Sequence, residues 1–368
     1  MDKRLPAQRS VTITDVARAA QVSKATAARA LGGYGTVSAA VRDRVLGAAQ
    51  RLDYRPNALA RTMATGRSGT IGVIVGDIEN PFFGLAVRGI SDRAKQDGFD
   101  VLLANSAEDL ATEQAAMAVM LSKGVDGLIV APSQKAERRH LDEVLARGRP
   151  LVLLDRDVPG MPVDVVEVDG RSAARLATEL LTAAGHRRLC YVTASLAPES
   201  GDPTDVVLTS VGNRISGYLE AAKAAAVEPC HAAICFGAVT TQEAQDLLVA
   251  LLGGPQRPSA ILASDSKIAL EVFRASKACG LTIPDDLSLV TFDDADWTSA
   301  VDPAVTVIAQ PTYALGTAAA ETLIGRLNDA DRPIRRQQLK ASPICRASIK
   351  RVGGLGSSAV LEQVSDHV

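Results

Sequence analysis

From about residue 70 to residue 293, short apolar runs alternate with longer amphipathic segments. "TIGVIVG", "DVLLAN", "VDGLIVAP" and "PLVLLDR" are too short for core helices and carry little polar alternation. Such runs are strands buried on both faces. Between them, "PFFGLAVRGISDRAKQDG", "DLATEQAAMAVMLSKG" and "KAERRHLDEVLARG" place apolar residues at helical spacing. A buried strand followed by a helix and another buried strand is a βαβ unit, so the sheet is parallel. A second series follows: "RRLCYVTA", "NRISGYLEAAKAAA", "AAICFG", "QEAQDLLVALLG", "AILASD", "KIALEVFRASKACG" and "SLVTFDD". The pattern predicts two similar α/β lobes. "VTVIAQ" and "YALGTAAAETLIGRL" are expected to return to the first lobe, and the Gly/Ser-rich end from residue 350 to be a loose tail.

The predicted strands end in polar residues: Asn80, Asn105, Asp155-Arg156, Ser264-Asp265 and Asp293. Ligands of open parallel sheets bind off the carboxyl ends of the strands. Two lobes facing each other across such ends form a cleft with convergent polar groups. Phe82 and Phe83, two of only six phenylalanines, either face that cleft or pack in the core. Asp155-Arg156 offers a carboxylate beside a planar fork, suited to adjacent hydroxyls. Ser264 and Asp265 could instead cap the following helix, and Asp293-Asp294 could be turn residues. "LAPESGDPTDVVLTSVGN", over 196–213, either shapes the mouth of the cleft or is a surface excursion.

The first 68 residues have a different character. They hold twelve Lys/Arg against four Asp, whereas the remainder holds 28 basic and 38 acidic residues. A basic head on an acidic body points to a polyanion partner for the head alone. Thr12-Ile13-Thr14-Asp15 has the form of a capping box, and Ser23 is a second N-cap candidate. Two short Ala-rich helices follow these caps, and a third runs from Ser38 to about Leu52. Two helices on a very short turn, braced by a third, make either a helix-turn-helix or a small bundle with a solvated basic face. In "RPNALARTMATG", Pro56-Asn57 starts a helix that Gly66 ends, too short to be stable alone in water.

Together "VTITDVARAAQVSKATAAR" and "YRPNALARTM" resemble the head of the LacI/GalR transcription regulators, and the body is similar to the ribose- and galactose-binding periplasmic proteins. The resemblance covers about residues 11–349. It implies a body of the periplasmic-binding-protein-like I fold, with two doubly wound parallel-sheet lobes, and an all-α, lambda-repressor-like helix-turn-helix head. It also implies three crossovers between lobes, near Asp169, Val301 and Asn328. The domains so implied are 1–54 (DNA-binding head), 55–68 (hinge helix and linker) and 69–349 (effector-binding and dimerisation body). Within the body the N-lobe is about 69–168 with 302–328, and the C-lobe about 170–300 with 330–349.

In that likeness Lys24, Ala25 and Arg29 read base edges in the major groove, and Thr26 contacts a phosphate, with Thr12 and Ser23 at the same interface. Asn57, Ala60 and Met63 belong to the hinge helix on the minor groove, Met63 as the wedge in place of the usual Leu. The effector-binding positions are Asn80, Phe82, Phe83, Asp155, Arg156, Arg214, Ser264, Asp265, Asp293 and Gln310. Three departures stand out in the head. Gln21 replaces the usual turn Gly, Ala27-Ala28 replace Val-Ser, and "GGYG" replaces an Asn-containing loop. In the body Ser264 replaces Asn. The implied partners are a pseudo-palindromic double-stranded operator, a monosaccharide or sugar-acid effector, and a second copy of the chain. A nucleobase or phosphorylated metabolite is the alternative effector.

Other classes find little support in the residues. No P-loop or G-x-G-x-x-G is present, and the four histidines are far apart in sequence. No catalytic residue, metal or cofactor is therefore expected. Five scattered cysteines without a C-x-x-C pair read as free thiols in a reducing compartment. "MDKRLPAQRS" lacks the apolar run of a secretory leader. These features predict a cytoplasmic protein rather than a transport binding protein, and no membrane association.

Overall fold

The computed structural model describes residues 11–32, 35–54 and 66–352, together a helical head and an α/β body. In the head, α1 (Ile13–Ala19), α2 (Lys24–Gly32) and α3 (Ala39–Arg51) enclose a core made largely of small residues: Val16, Ala17, Ala20, Ala27, Ala30, Val45, Ala48 and Ala49. Alanine favours the helix and leaves little side chain between crossing backbones. The Asp15 carboxylate accepts from the Thr12 N–H at 3.0 Å, and Ser23 Oγ accepts from the Thr26 N–H at 3.1 Å, so both expected caps form. The α1–α2 turn places Gln21 at φ 55°, the left-handed conformation that a Gly would adopt freely.

The body contains two six-stranded sheets. The first has the order β11-β5-β4-β3-β1-β2 and the second β12-β10-β9-β8-β6-β7. The first sheet comprises β1 (Thr70–Val75), β2 (Asp100–Asn105), β3 (Gly127–Val130), β4 (Leu151–Leu154), β5 (Asp164–Val168) and β11 (Arg336–Leu339). The second comprises β6 (Leu189–Val192), β7 (Ala232–Cys235), β8 (Ala260–Ala263), β9 (Ser288–Phe292), β10 (Thr306–Ala309) and β12 (Ser342–Ile344). The central pairs β1–β3, β3–β4, β6–β8 and β8–β9 are parallel, and their strands are almost wholly buried. Each position in one order has its counterpart in the other, so the lobes are structural repeats.

Helices cover both faces of each sheet. In the N-lobe, α4 (Pro81–Gln96) and α12 (Thr312–Asn328) pack on one face, with α5 (Leu110–Lys123) and α6 (Arg139–Ala146) on the other. In the C-lobe, α7 (Gly170–Ala183) and α8 (Thr209–Ala224) match the first pair, and α9 (Thr241–Gly253) and α10 (Ser266–Ala278) the second, with the short α11 (Asp296–Ala300) following β9. The α4–α12 and α8–α7 contacts bring backbones together at glycine. A Cβ on Gly89 would lie 2.2 Å from Tyr313 O, and one on Gly217 would lie 2.0 Å from Arg171 O. The repeat thus extends to equivalent glycines on equivalent helices.

Three sequence expectations need correction. β10 does not return to the first lobe: it pairs with β9 in the second sheet, so that crossover falls at Gln310-Pro311 and not near Val301. β11 pairs with β5 in the first sheet, so the last crossover lies between Leu339 and Ser342 and not near Asn328. A buried apolar strand carries the same pattern in either lobe, and only non-local pairing decides its sheet. Residues 350–352 are not loose, because Lys350 N–H donates to Ser288 Oγ and Val352 N–H to Ala184 O. β5 and α7 had no reading of their own in the sequence, although the crossover near Asp169 between them stands.

Candidate functional site

The carboxyl ends of both sheets border one cleft of about 960 Å³. It is lined by all ten residues that the sequence proposed: Asn80, Phe82, Phe83, Asp155, Arg156, Arg214, Ser264, Asp265, Asp293 and Gln310.

Two aspartates occupy equivalent places. Asp155 follows β4 and Asp293 follows β9, each the third strand in its sheet order. Both are buried and left-handed, at φ 65° and 70°. Each backbone N–H donates to the neighbouring strand, Asp155 to Val166 O at 2.8 Å and Asp293 to Ile308 O at 3.2 Å. Aspartate tolerates this conformation better than most residues. Burial raises both carboxyl pKa values, against the attraction of Arg214 and, at Asp155, of Arg156. Asp293 is pushed up to about 6.

Each aspartate stands beside an arginine whose fork is held by the protein. In the N-lobe, Arg156 donates two bonds to Glu108, at 2.5 and 2.7 Å, and a third to Pro132 O at 3.0 Å. Its guanidinium lies 5.5 Å from the centre of the Phe83 ring. In the C-lobe, Arg214 donates to Ser264 O at 2.8 Å and to Gln310 Oε1 at 3.1 Å, and sits 4.2 Å over the Phe292 ring. Gln310 Nε2 in turn donates to Asp293 at 2.6 Å. Fixed forks and buried carboxylates present donors and acceptors with little rotamer freedom left to lose.

The open alternatives resolve into double roles. Phe82 and Phe83 meet edge to face at 5.2 Å and belong to the N-lobe core, while still bordering the cleft. Asn80 caps α4 by accepting from the Phe82 N–H at 3.0 Å, and Asp265 caps α10 by accepting from the Ile268 N–H at 2.9 Å. The Ser264 hydroxyl donates to Asp265 at 2.9 Å. Asp294 turns away to Arg346 at 2.5 Å. The 196–213 segment contributes Leu196, Val207 and Leu208 to the cleft wall, and α8 begins inside it.

Several site residues escaped the sequence. Glu108, the partner of Arg156, lies outside any motif. Its signals are a left-handed φ of 58° and a glycine opposite, where a Cβ on Gly76 would lie 2.1 Å from Glu108 Oε1. Behind the cleft floor, buried Glu113 accepts from the Ser133 N–H and from His140 Nε2, both at 2.6 Å. Three ion pairs cross from lobe to lobe: Lys267 to Asp77 at 2.9 Å and to Glu79 at 3.9 Å, and Lys135 to Asp205 at 2.5 Å.

In the head, Lys24, Ala25 and Arg29 are exposed on α2 and Thr26 is half-buried, while Ala27 and Ala30 face inward. Thr12 and Ser23 are exposed at the helix starts. The hinge positions Asn57, Ala60 and Met63 lie outside the described residues. No helix among the described residues is long and apolar enough to cross a membrane, and no group of three or more His, Cys, Asp or Glu there could hold a metal ion.

A basic helix-turn-helix unit joined to a two-lobe body with a polar interlobe cleft defines a ligand-responsive DNA-binding regulator. Residues 12–57 match the model of bacterial regulatory proteins of the lacI family, and residues 178–349 that of a periplasmic binding protein-like domain. The chain is 31% identical over 319 residues to catabolite control protein A of Priestia megaterium, covering 87% of this chain and 93% of that protein. It is 32% identical over 321 residues to the transcriptional repressor CytR of Escherichia coli K12, covering 86% and 90%. Among solved structures, a lac repressor dimer bound to operator and the anti-inducer ONPF matches with a TM-score of 0.78. It is 26% identical, over 93% of this chain and all of that one. The chain belongs to the lacI family and is a DNA-binding transcription regulator.

Proposed function

We propose that the chain is a cytoplasmic repressor that binds a pseudo-palindromic operator as a homodimer, its affinity set by an uncharged, hydroxyl-bearing effector in the interlobe cleft. The observation that carries this reading is the paired Asp-Arg geometry, Asp155 with Arg156 from one lobe and Asp293 with Arg214 from the other. Alternating fixed donors and acceptors on both walls suit a ring bearing several hydroxyls. Charge narrows the class. Seven carboxylates and three cations line the cleft, and both arginines already face protein acceptors. A sugar acid or phosphorylated metabolite would meet that surplus of negative charge, so a neutral sugar is preferred.

The proposed division of labour follows the sequence: residues 1–54 contact the major groove through Lys24, Ala25, Thr26 and Arg29, residues 55–68 form the hinge, and residues 69–349 bind effector and dimerise. A single recognition helix offers few base contacts, and two-fold symmetry doubles them. Effector and operator communicate by linkage, because each favours one arrangement of the lobes.

The test is a thermal-shift screen of the full chain against neutral sugars, sugar acids, sugar phosphates and nucleobases. A ligand at about 100 times its Kd stabilises by about 2.7 kcal/mol, which is readily seen. Arg156→Ala should abolish the shift and the operator response to the same compound, leaving ligand-free operator affinity within about twofold, below ~0.5 kcal/mol. A phosphate or acid hit without any neutral sugar hit overturns the reading. So does an unchanged response in the variant.

A further inference from the structure

The repeat of one lobe in the other also relates the contacts that cross the cleft. β1 and β6 hold the fifth place in their sheet orders, and β3 and β8 the fourth. Asp77 and Glu79 follow β1 and meet Lys267, which follows β8. Asp205 follows β6 and meets Lys135, which follows β3. Exchanging the lobes therefore carries one set of ion pairs onto the other, and the two sets lie on opposite sides of the cleft.

The two sides are closed by different means. On one, closure rests on the half-exposed Lys267 ammonium and its reach to Asp77 and Glu79. On the other, backbone groups bond across as well. Lys135 N–H donates to Val207 O at 3.1 Å, and Asp157 N–H donates to Thr209 Oγ1 at 2.8 Å. The Thr209 hydroxyl in turn donates to Asp157 O at 3.2 Å.

The segment that makes these bonds is anchored in its own lobe. Val206 is buried in the C-lobe core. Just before it the chain turns on Asp202, whose carboxylate accepts from the Thr204 N–H at 2.9 Å and from the Thr204 hydroxyl at 2.7 Å. The turn lies so close to α8 that a Cβ on Gly212 would stand 2.5 Å from Thr204 O. An exposed ion pair breaks and re-forms at little cost, whereas bonds from an anchored backbone open only with a larger local displacement.

We propose that residues 202–209 are a fixed clasp and that Lys267 is the catch of a one-sided opening. The ligand-free lobes part on the Lys267 side while the clasp side stays joined. That the Lys267 side is then the way in for effector rests on the reading of the cleft as the effector site; the opening itself does not.

The experiment compares matched charge reversals in the full chain without ligand. Lys267→Glu sets a third carboxylate against Asp77 and Glu79, and Lys135→Glu sets one against Asp205, so like charges repel on either side. Small-angle scattering reads the opening, hydrogen exchange of the Asp157 amide reads the clasp, and a melting temperature near the parent's shows that each variant is folded. Lys267→Glu should enlarge the radius of gyration and leave Asp157 exchange within about twofold of the parent. Lys135→Glu should keep the parent's radius, because the backbone bonds persist. Adding Thr209→Val to Lys135→Glu should speed Asp157 exchange by about tenfold or more and enlarge the molecule. Lys267→Ala, a milder change, should act as Lys267→Glu does to a smaller extent. Equal expansion by both charge reversals overturns the proposal, and so does a Lys267→Glu variant that does not expand. Loss of Asp157 protection in Lys267→Glu also overturns it, since the lobes then part as a whole. No effector enters these measurements, so their failure leaves the reading of the cleft standing.

Discussion

At the scale of single residues, the site is governed by what burial does to a carboxyl group. Asp293 is enclosed and its pKa is pushed up to about 6, with Arg214 and Gln310 only partly offsetting the lost hydration. Asp155, its structural twin, is displaced in the same direction for the same cause. Ionised, such a carboxylate accepts hydrogen bonds from ligand hydroxyls strongly; protonated, it gives up one acceptor and gains a competing donor. The Asp293 pKa of about 6 puts its change at mildly acidic pH. Effector affinity should therefore be nearly flat above about pH 7 and fall below pH 6, approaching tenfold per unit in acid for one coupled proton. Asp293→Asn should bind more weakly at pH 7.5 and show a shallower fall below pH 6. Calorimetric titrations at four pH values check this, and an unaltered slope in the variant removes Asp293 from the contact. The aspartates were legible in sequence because a strand end is a local feature. Glu108 was not, because its pairing with Arg156 spans 48 residues and leaves only a glycine at position 76 as a trace.

At the scale of elements, the same contrast between local and non-local information recurs. Caps, helix faces and buried strands are written in short windows, and Thr12, Ser23 and the apolar runs of β1, β3, β4 and β8 all behave as those windows dictate. Sheet membership is not written there. β10 and β11 fall in lobes opposite to expectation because "TVIA" and "RQQL" carry nothing that names a partner strand. The α1–α2 turn tests how far a local rule holds under tertiary pressure. Gln21 keeps φ 55° although a glutamine pays for it, as the Val22 N–H bond to Ala17 O at 3.0 Å requires the chain to reverse there. A side chain in that region costs about 1 kcal/mol or more, and the added freedom of glycine in the unfolded chain returns part of it. Gln21→Gly should therefore stabilise the head by about 0.5 kcal/mol, read as a higher urea midpoint of the head transition in the full chain. A lower midpoint would mean that the glutamine side chain makes a contact worth more than the strain.

At the scale of the whole molecule, the repeat of one lobe in the other makes the cleft a joint as well as a site. Its walls belong to two bodies, each with its own core, connected by three strands of chain, by hydrogen bonds such as Asp157 N–H to Thr209 Oγ1 at 2.8 Å, and by the partly exposed ion pairs of Lys267 with Asp77 and Glu79 and of Lys135 with Asp205. Such pairs hold the lobes together weakly, about 0.2–1 kcal/mol each when solvent-exposed, and less in high salt. If effector binds the joined arrangement, removing a pair lowers the fraction of ligand-free molecules already in it, and apparent effector affinity falls by the same factor. Lys267→Ala should therefore weaken effector binding by no more than about fivefold, the limit set by ~1 kcal/mol. Operator affinity then has an obligatory sign. Effector and the Lys267–Asp77 pair both favour the joined lobes, so losing the pair must shift ligand-free operator affinity opposite to the shift that effector produces. If effector releases DNA, the variant binds DNA more tightly; if effector promotes binding, the variant binds more weakly. Anisotropy titrations of a labelled operator selected from random DNA, with and without effector at low and high salt, measure both shifts. A variant that moves operator affinity in the same direction as effector would show that the pair is broken, not made, when the lobes close on the ligand.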